Sequence, residues 1–220
     1  MSAPLFPHLS LDEACDALVA GKLIAFPTET FYGLGCNAMN ADAVGAVFSL
    51  KKRSLAMPLP VVISSTDMLD DLVINVSETT RSLIETFWPG PLSILLPARP
   101  EVPDLLTANA HKIAVRFSPH PAVLELCRAT GRVLVASSAN ISGRPPAARF
   151  ADLDPELSRG IEGVYNAGPE PAGESPSTVL EVREKQGRGT VCILRPGAIS
   201  EHDLRSAGFT VQETVNPIVP

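Results

Sequence analysis

Apolar residues along this chain fall into short continuous runs that alternate with stretches of helical spacing. The first helical stretch covers about residues 10–20 and opens on a capping box, in which Ser10 is followed three residues later by Glu13. The apolar run 23–26 comes next and is ended by Pro27, which is typical of a buried strand that leads into a loop. The first predicted unit is therefore a helix, a strand and a loop.

The same alternation continues along the chain. Asn40 is placed to cap a second helix that ends in Lys51-Lys52-Arg53, and residues 60–63 have the composition of a strand. Further helical segments are predicted near 66–73, 77–87, 120–129 and 200–207, and further strands over 92–96, 113–117, 133–136, 178–182 and 191–194. This pattern predicts an α/β fold in which helices flank one twisted, mixed β-sheet.

A single domain accounts for the whole pattern. Residues 169–176 and 184–189 have the composition of mobile loops, but both stretches lie inside the strand pattern and do not separate two cores. A length of 220 residues with 45% hydrophobic residues is sufficient for one sizeable core. We place the domain over residues 8–213 and a C-terminal tail over residues 214–220.

Charge and cysteine usage narrow the function classes. The 18 Lys and Arg residues against 24 Asp and Glu argue against a broad nucleic-acid-binding surface, so tRNA binding is possible but is not supported by net charge. The four cysteines lack CxxC spacing and the histidines lack paired spacing, so no metal site or disulfide framework is predicted. Because no secretory segment and no apolar stretch of roughly 20 residues occurs, we expect a cytoplasmic protein without membrane contact.

Two loops rich in hydroxyl groups and glycine bracket a cationic cluster. Residues 26–35 and 136–143 each include the end of an apolar run, and Lys51-Lys52-Arg53 lies between them in the sequence. Hydroxyl and backbone N–H groups beside clustered cations indicate a pocket for a phosphorylated substrate. Two simpler interpretations stay open, since cations at a helix C-terminus also complement the helix dipole and a turn rich in Ser and Asn can satisfy its own backbone.

Three motifs in a particular order make the interpretation more specific. Residues 27–35 read PTETFYGLG, residues 51–53 form a K-x-R motif and residues 138–140 form an S-x-N motif. Further matching segments lie at 88–92, 115–121, 177–179 and 194–197. Together they resemble the threonylcarbamoyl-adenylate synthase family, also called the YrdC/Sua5 family, in its short, single-domain form.

This resemblance implies an adenylyl-transfer reaction. The amino group of L-threonine would capture bicarbonate or CO2, and the carbamate would attack the α-phosphate of ATP to give threonylcarbamoyl-AMP and pyrophosphate, with Mg2+ bridging the phosphates. The product would be handed to a separate tRNA threonylcarbamoyl transferase complex, which makes the t6A nucleoside of tRNAs. The alternative that stays open is a non-catalytic RNA-binding module of the same fold.

The resemblance also implies which side chains contact each substrate. Arg53 offers a planar fork that suits phosphate oxygens and Lys51 a mobile point charge, both in catalytic roles, while Arg116 would hold the threonine carboxylate. The implied nucleotide side comprises Lys51, Arg53, Ser138, Asn140 and Arg195, and the implied threonine side comprises Thr30, Arg116 and Ser177. No residue is assigned to a metal.

Some residues near these motifs depart from the family pattern or have simpler explanations. Ser54 stands where the family usually places proline, and Val62 stands where some members carry a histidine. Glu29 is predicted to order its loop by accepting backbone hydrogen bonds. Tyr32 and Trp88 are predicted to pack in the core and not against the nucleotide.

Overall fold

Ten strands form the framework of the part of the chain that the structure describes. The computed structural model of the protein describes residues 5–185 and 188–212. The strands are β1 Ile24–Pro27, β2 Tyr32–Gly35, β3 Val61–Ile63, β4 Leu92–Pro97, β5 Lys112–Phe117, β6 Leu134–Val135, β7 Ser137–Ser138, β8 Thr178–Lys185, β9 Arg188–Arg195 and β10 Val211–Gln212. The predicted tail at 214–220 lies outside the described residues, so the domain boundary stays a prediction.

Seven of these strands form the main sheet, in the order β10-β9-β8-β4-β5-β3-β6. Parallel and antiparallel pairs alternate across it: β4 runs antiparallel to β5, and β5 runs parallel to β3. The predicted mixed sheet is therefore confirmed. The expectation of one sheet was incomplete, because β1, β2 and β7 form a second, three-stranded antiparallel sheet.

The helices lie close to their predicted positions, apart from the short helix at Asp104–Thr107, which was not predicted, and a 3-10 turn in place of the helix predicted near 66–73. They are α1 Leu11–Val19, α2 Ala41–Lys51, α3 Glu78–Phe87, α4 Asp104–Thr107, α5 Pro121–Thr130 and α6 Glu201–Ser206, with 3-10 turns at Thr66–Asp71, Phe150–Asp152 and Pro155–Arg159. The Ser10 hydroxyl accepts from the Glu13 N–H in a complete capping box, and the Asn40 side chain caps α2. Both predicted helix starts are thus confirmed.

The segment predicted as one long loop after β1 is instead a hairpin. Residues 28–31 form its turn, and β2 returns antiparallel with Gly33 opposite Phe26 and Gly35 opposite Ile24. Glycine weakens a strand in isolation, which is why the sequence pattern did not indicate one. Close packing nevertheless requires a glycine at position 35, since a Cβ there would overlap the carbonyl oxygen of Val135.

The mobile loop predicted over residues 184–189 also needs correction. Residues 184–185 and 188–189 continue the antiparallel pairing of β8 with β9, so they belong to strands and not to a mobile loop. By contrast, residues 169–176 contain no helix or strand, as predicted. No helix among the described residues is long and apolar enough to cross a bilayer.

Buried apolar side chains fill the space on both faces of the main sheet. Tyr32 is fully buried and Trp88 is 8% exposed, so the prediction that both residues pack in the core is confirmed. The Tyr32 hydroxyl donates to Asn166 Oδ1 at 2.5 Å, and Trp88 Nε1 donates to the Leu92 carbonyl at 2.7 Å. Each buried aromatic therefore has a partner for its polar atom. All four cysteines, Cys15, Cys36, Cys127 and Cys192, are free thiols.

Candidate functional site

A cavity of about 510 Å³ opens where the two sheets meet. Its wall combines the β1–β2 turn, the end of α2, the central strands of the main sheet and the loop that follows β7. All eight residues singled out from the sequence line it: Thr30, Lys51, Arg53, Arg116, Ser138, Asn140, Ser177 and Arg195. Segments from most of the length of the chain thus converge on one space.

The charges of the cavity wall have one sign. Its charged lining residues are Lys51, Arg53, Arg116, Arg144 and Arg195, and no Asp or Glu is among the described lining residues. Polar hydroxyl groups and the backbone of glycine-containing loops complete the wall. Such a wall attracts anions, because each cation that is left without a counter-charge in a partly buried site favours binding of negative charge.

Lys51 joins the helix α2 to the loop after β7. Its Nζ donates to the carbonyl oxygens of Ser138 and Asn140, the latter at 2.6 Å, and its own carbonyl accepts from the Ser142 N–H at 2.9 Å. The residue is 1% exposed, and its pKa is lowered to about 7, chiefly by burial and then by the charge of Arg53. Lys51 therefore holds the S-x-N loop in place as well as lining the cavity.

Arg53 reaches the same cavity because the chain turns sharply at the end of α2. Lys52 adopts a left-handed conformation with φ 52°, which ends the helix and directs its side chain away to Glu156 at 2.8 Å. The Arg53 guanidinium donates to the carbonyls of Met57 at 3.3 Å and Pro58 at 3.1 Å. Lys51 and Arg53, the first and third residues of the cluster, therefore face the same cavity, and burial lowers the pKa of Arg53.

The S-x-N loop is held mostly by its own backbone. Asn140 Nδ2 donates to the carbonyls of Ile141 at 3.0 Å and Arg144 at 2.6 Å, while the Ser138 side chain is exposed to the cavity. Asn140 Oδ1 is buried and has no partner among the described residues. In this arrangement the Asn140 amide orders the loop, and its contact with a nucleotide stays a prediction.

Arg144 and Asp154 were not found from the sequence. Arg144 donates to both carboxylate oxygens of Asp154 at 2.9 Å, and Asp154 also accepts from the Ile141 N–H at 3.3 Å. Asp154 thereby fixes the far side of the S-x-N loop. The only signal in the sequence was an arginine directly after Gly143. Its partner Asp154 lies ten residues later, and the residues between them show no periodicity that would indicate the contact.

Arg116 lies on β5 at the floor of the cavity, beside Val62 on β3. Its Nη1 donates to Glu29 Oε1 at 2.7 Å and to Thr30 Oγ1 at 3.2 Å. Thr30 is held in turn by a contact of 3.2 Å between its hydroxyl and that of Thr28. The β1–β2 turn and the floor of the cavity are therefore linked directly.

A further group of polar side chains, Ser93, Ser177 and Arg195, lines the same cavity. The hydroxyls of Ser93 and Ser177 lie 3.0 Å apart, and Arg195 Nη2 donates to the Ser177 carbonyl at 2.7 Å and hydroxyl at 3.1 Å. Burial, followed by the charges of Arg116 and Arg53, lowers the pKa of Arg195. Ser177 and Arg195, which were assigned to different substrates, are thus bonded to each other.

The two departures from the family pattern have different consequences. Ser54 makes a local turn, in which its hydroxyl accepts from the Ala56 N–H at 3.3 Å and its carbonyl accepts from the Met57 N–H at 3.1 Å. Val62 is buried and presents an apolar surface to the cavity where a histidine would present a polar one. Neither residue displaces Arg53 or Arg116 from the cavity.

Comparison with known proteins places these features in a family context. Residues 16–197 match the family model Sua5_yciO_yrdC, which carries the description "Telomere recombination". The threonylcarbamoyl-AMP synthase of Xanthomonas axonopodis pv. citri is 41% identical over 180 residues, covering 81% of this chain and 96% of that protein. The threonylcarbamoyl-AMP synthase of Bacillus subtilis is 35% identical over 195 residues, covering 88% of this chain and 55% of that protein.

A solved structure shares the fold. The crystal structure of Pyrococcus abyssi Sua5 complexed with L-threonine superposes with a TM-score of 0.80 at 30% sequence identity, over 94% of this chain and 61% of that one. The chain thus spans only a little over half the length of the Bacillus and Pyrococcus proteins, but nearly the whole Xanthomonas protein.

Proposed function

This chain belongs to the Sua5/YciO/YrdC family, and we propose that it is a threonylcarbamoyl-AMP synthase that serves t6A formation in tRNA. The enzyme would be a nucleotidyltransferase that joins L-threonine, bicarbonate or CO2, and ATP, and releases pyrophosphate. The observation that carries the proposal is the meeting of the K-x-R motif, the S-x-N loop and Arg116 around one cavity without a described acidic lining residue.

Each side of the cavity suits one substrate. Lys51, Arg53 and Arg195 are cations whose described hydrogen-bond partners are carbonyl and hydroxyl groups, so their charge is available to a triphosphate. Arg116 and Thr30 lie together at the floor, where a carboxylate and an amino group could be oriented. Catalysis would then rest on charge neutralisation and on positioning of the carbamate for attack on the α-phosphate.

Magnesium and the downstream partner belong to the same proposal. No group of three or more His, Cys, Asp or Glu side chains within residues 5–185 and 188–212 could hold a metal ion, so these residues offer no ready protein site for Mg2+. We therefore assign the protein residues no step through the metal. Hand-off of the product to a tRNA threonylcarbamoyl transferase complex, and a cytoplasmic location, are likewise proposals.

The RNA-binding alternative is not favoured. The relatives are named as synthases, and a cavity of about 510 Å³ has the size of a small-molecule site. A net charge of -6 also gives little support to a broad phosphate-binding surface.

The proposed reaction is tested by pyrophosphate release. Purified protein with ATP, bicarbonate and Mg2+ is expected to release pyrophosphate only when L-threonine is added, because the carbamate nucleophile forms on its amino group. Release would be followed with a coupled phosphate assay, and threonylcarbamoyl-AMP would be identified by mass spectrometry. Glycine in place of threonine serves as the control. Pyrophosphate release that does not depend on threonine would overturn the proposal.

Proton uptake provides a second test of the nucleotide side. With its pKa near 7 in the free protein, Lys51 is mostly neutral at pH 8, whereas bound polyphosphate favours the ammonium form. ATP binding at pH 8 is therefore expected to be accompanied by the uptake of as much as about one proton. This uptake should decrease towards pH 6, where Lys51 is already charged before ATP binds. Calorimetry in buffers of different ionisation enthalpy measures this quantity, and Lys51→Met should remove the uptake. Equal uptake in that variant would contradict the assignment.

A further inference from the structure

Glu29 forms an ion pair with Arg116, one of the cations that line the cavity. No other ion pair among the described residues joins a carboxylate to Lys51, Arg53, Arg116 or Arg195. The carboxylate does not line the cavity, although its neighbours Thr28 and Thr30 do. Glu29 therefore lies behind Arg116 with respect to the space that a substrate would occupy.

Both oxygens of the Glu29 carboxylate are engaged. Oε1 accepts from Arg116 Nη1 at 2.7 Å, and Oε2 accepts from the hydroxyl of the fully buried Ser118. The Glu29 carbonyl also accepts from the Ala172 N–H at 3.2 Å. The prediction that the side chain of Glu29 accepts backbone hydrogen bonds is wrong, because its described partners are the side chains of Arg116 and Ser118.

This geometry leaves a defined part of Arg116 for a ligand. Nη1 is used by Glu29 and Thr30, whereas Nε and Nη2 have no hydrogen-bond partner among the described residues. A guanidinium held at one nitrogen by a fixed carboxylate cannot rotate freely, so its remaining N–H groups keep one direction.

The pairing also divides the cavity by charge. Lys51, Arg53 and Arg195 donate to neutral carbonyl or hydroxyl groups and have no carboxylate partner among the described residues, whereas the charge of Arg116 is balanced by Glu29. A site with little net charge favours a singly charged carboxylate, while phosphate groups with about two negative charges favour the unbalanced cations.

We propose that Glu29 is a positioning residue that orients Arg116 and makes the amino-acid side of the cavity selective for a carboxylate over a phosphate. Glu29 does not touch the substrate in this role; it acts through Arg116. The inference rests on the proposed function, since it concerns the threonine side of the same site.

The test uses Glu29→Gln, which keeps the shape and the hydrogen-bond acceptor but removes the charge. We expect the KM for threonine to rise about tenfold, because a neutral acceptor holds Arg116 less firmly than a carboxylate does, while the KM for ATP changes little. Inorganic phosphate should inhibit the variant competitively with threonine, whereas in the wild-type protein it should not compete with threonine. Glu162→Gln, at an exposed ion pair with Lys22 outside the cavity, is the matched control.

The outcomes separate this inference from the proposed function. If the wild-type protein shows no threonine-dependent pyrophosphate release, the proposed function fails and the inference fails with it. If the wild-type protein is active and Glu29→Gln either keeps its threonine KM or loses only kcat without phosphate competition, the inference alone is overturned. Should Glu29→Gln not fold, Ser118→Ala replaces it, since this change frees Oε2 and keeps both charges. A rise in threonine KM of about threefold would then support the inference, and an unchanged KM would refute it.

Discussion

Replacing Lys51 by methionine is expected to lower kcat/KM for ATP by about 10²–10³, the range seen when one preorganised donor is removed from an active site. The change removes a cation from the cavity and also leaves the carbonyls of Ser138 and Asn140 without their donor. The first effect weakens binding of the triphosphate, and the second loosens the S-x-N loop. Steady-state kinetics at varied ATP, together with circular dichroism to establish folding, measures the result.

The neighbouring residue provides a control of matched chemistry. Lys52 is the same residue type, but its side chain is 65% exposed and pairs with Glu156 away from the cavity. Lys52→Met should therefore change kcat/KM by less than about threefold, because an exposed ion pair contributes little. Equal losses in the two variants would show that general charge, and not the position of Lys51, matters. An unchanged rate in Lys51→Met would remove this residue from its proposed role.

Replacing Arg116 by methionine is expected to affect both substrate use and stability. Loss of a charge-assisted hydrogen bond to the threonine carboxylate should lower kcat/KM for threonine by about 10–150-fold. The same change leaves the Glu29 carboxylate, which is mostly buried, without its counter-charge. We expect the free energy of unfolding to fall by roughly 3 kcal/mol, measured by denaturant titration at neutral pH.

A double variant separates the two consequences. Arg116→Met combined with Glu29→Gln removes the uncompensated charge, so stability should largely return while threonine use stays low. Arg149→Met, which removes an exposed arginine paired with Asp152, is the control and should change neither quantity appreciably. Recovery of threonine use in the double variant would show that Arg116 does not bind the substrate. Stability that does not return would contradict the proposed balance between the two charges.

Local signals in the sequence predicted much of the fold. The capping box of Ser10 and the Asn40 cap fixed two helix starts because these interactions involve residues only three apart. Strand β2 was missed because Gly33 and Gly35 have little strand preference of their own, and their strand conformation depends on packing against Phe26 and Val135. The end of the β8–β9 hairpin has the polar composition of a loop, and only its backbone pairing makes it part of the strands.

In the candidate site, too, residue types could be predicted from the sequence but long-range contacts could not. Its residue types and their order along the chain indicated an anion pocket, and the eight residues proposed from the sequence all line one cavity. Their contacts were not predicted. Lys51 donates to the carbonyl of Ser138, and Arg116 pairs with Glu29, in both cases across 87 residues of sequence. No periodicity or motif spacing reports on partners so far apart.

The α/β class, the helix caps and the set of side chains available for chemistry could thus be predicted without coordinates, because propensity, capping and motif chemistry act over a few residues. Three features could be seen only in the folded chain: the hairpin of the opening motif, the hold of Lys51 on the S-x-N loop, and the balance of charge between Glu29 and Arg116. These features depend on where two separate sheets meet. Burial and charge at that junction arise from segments that are distant in the chain.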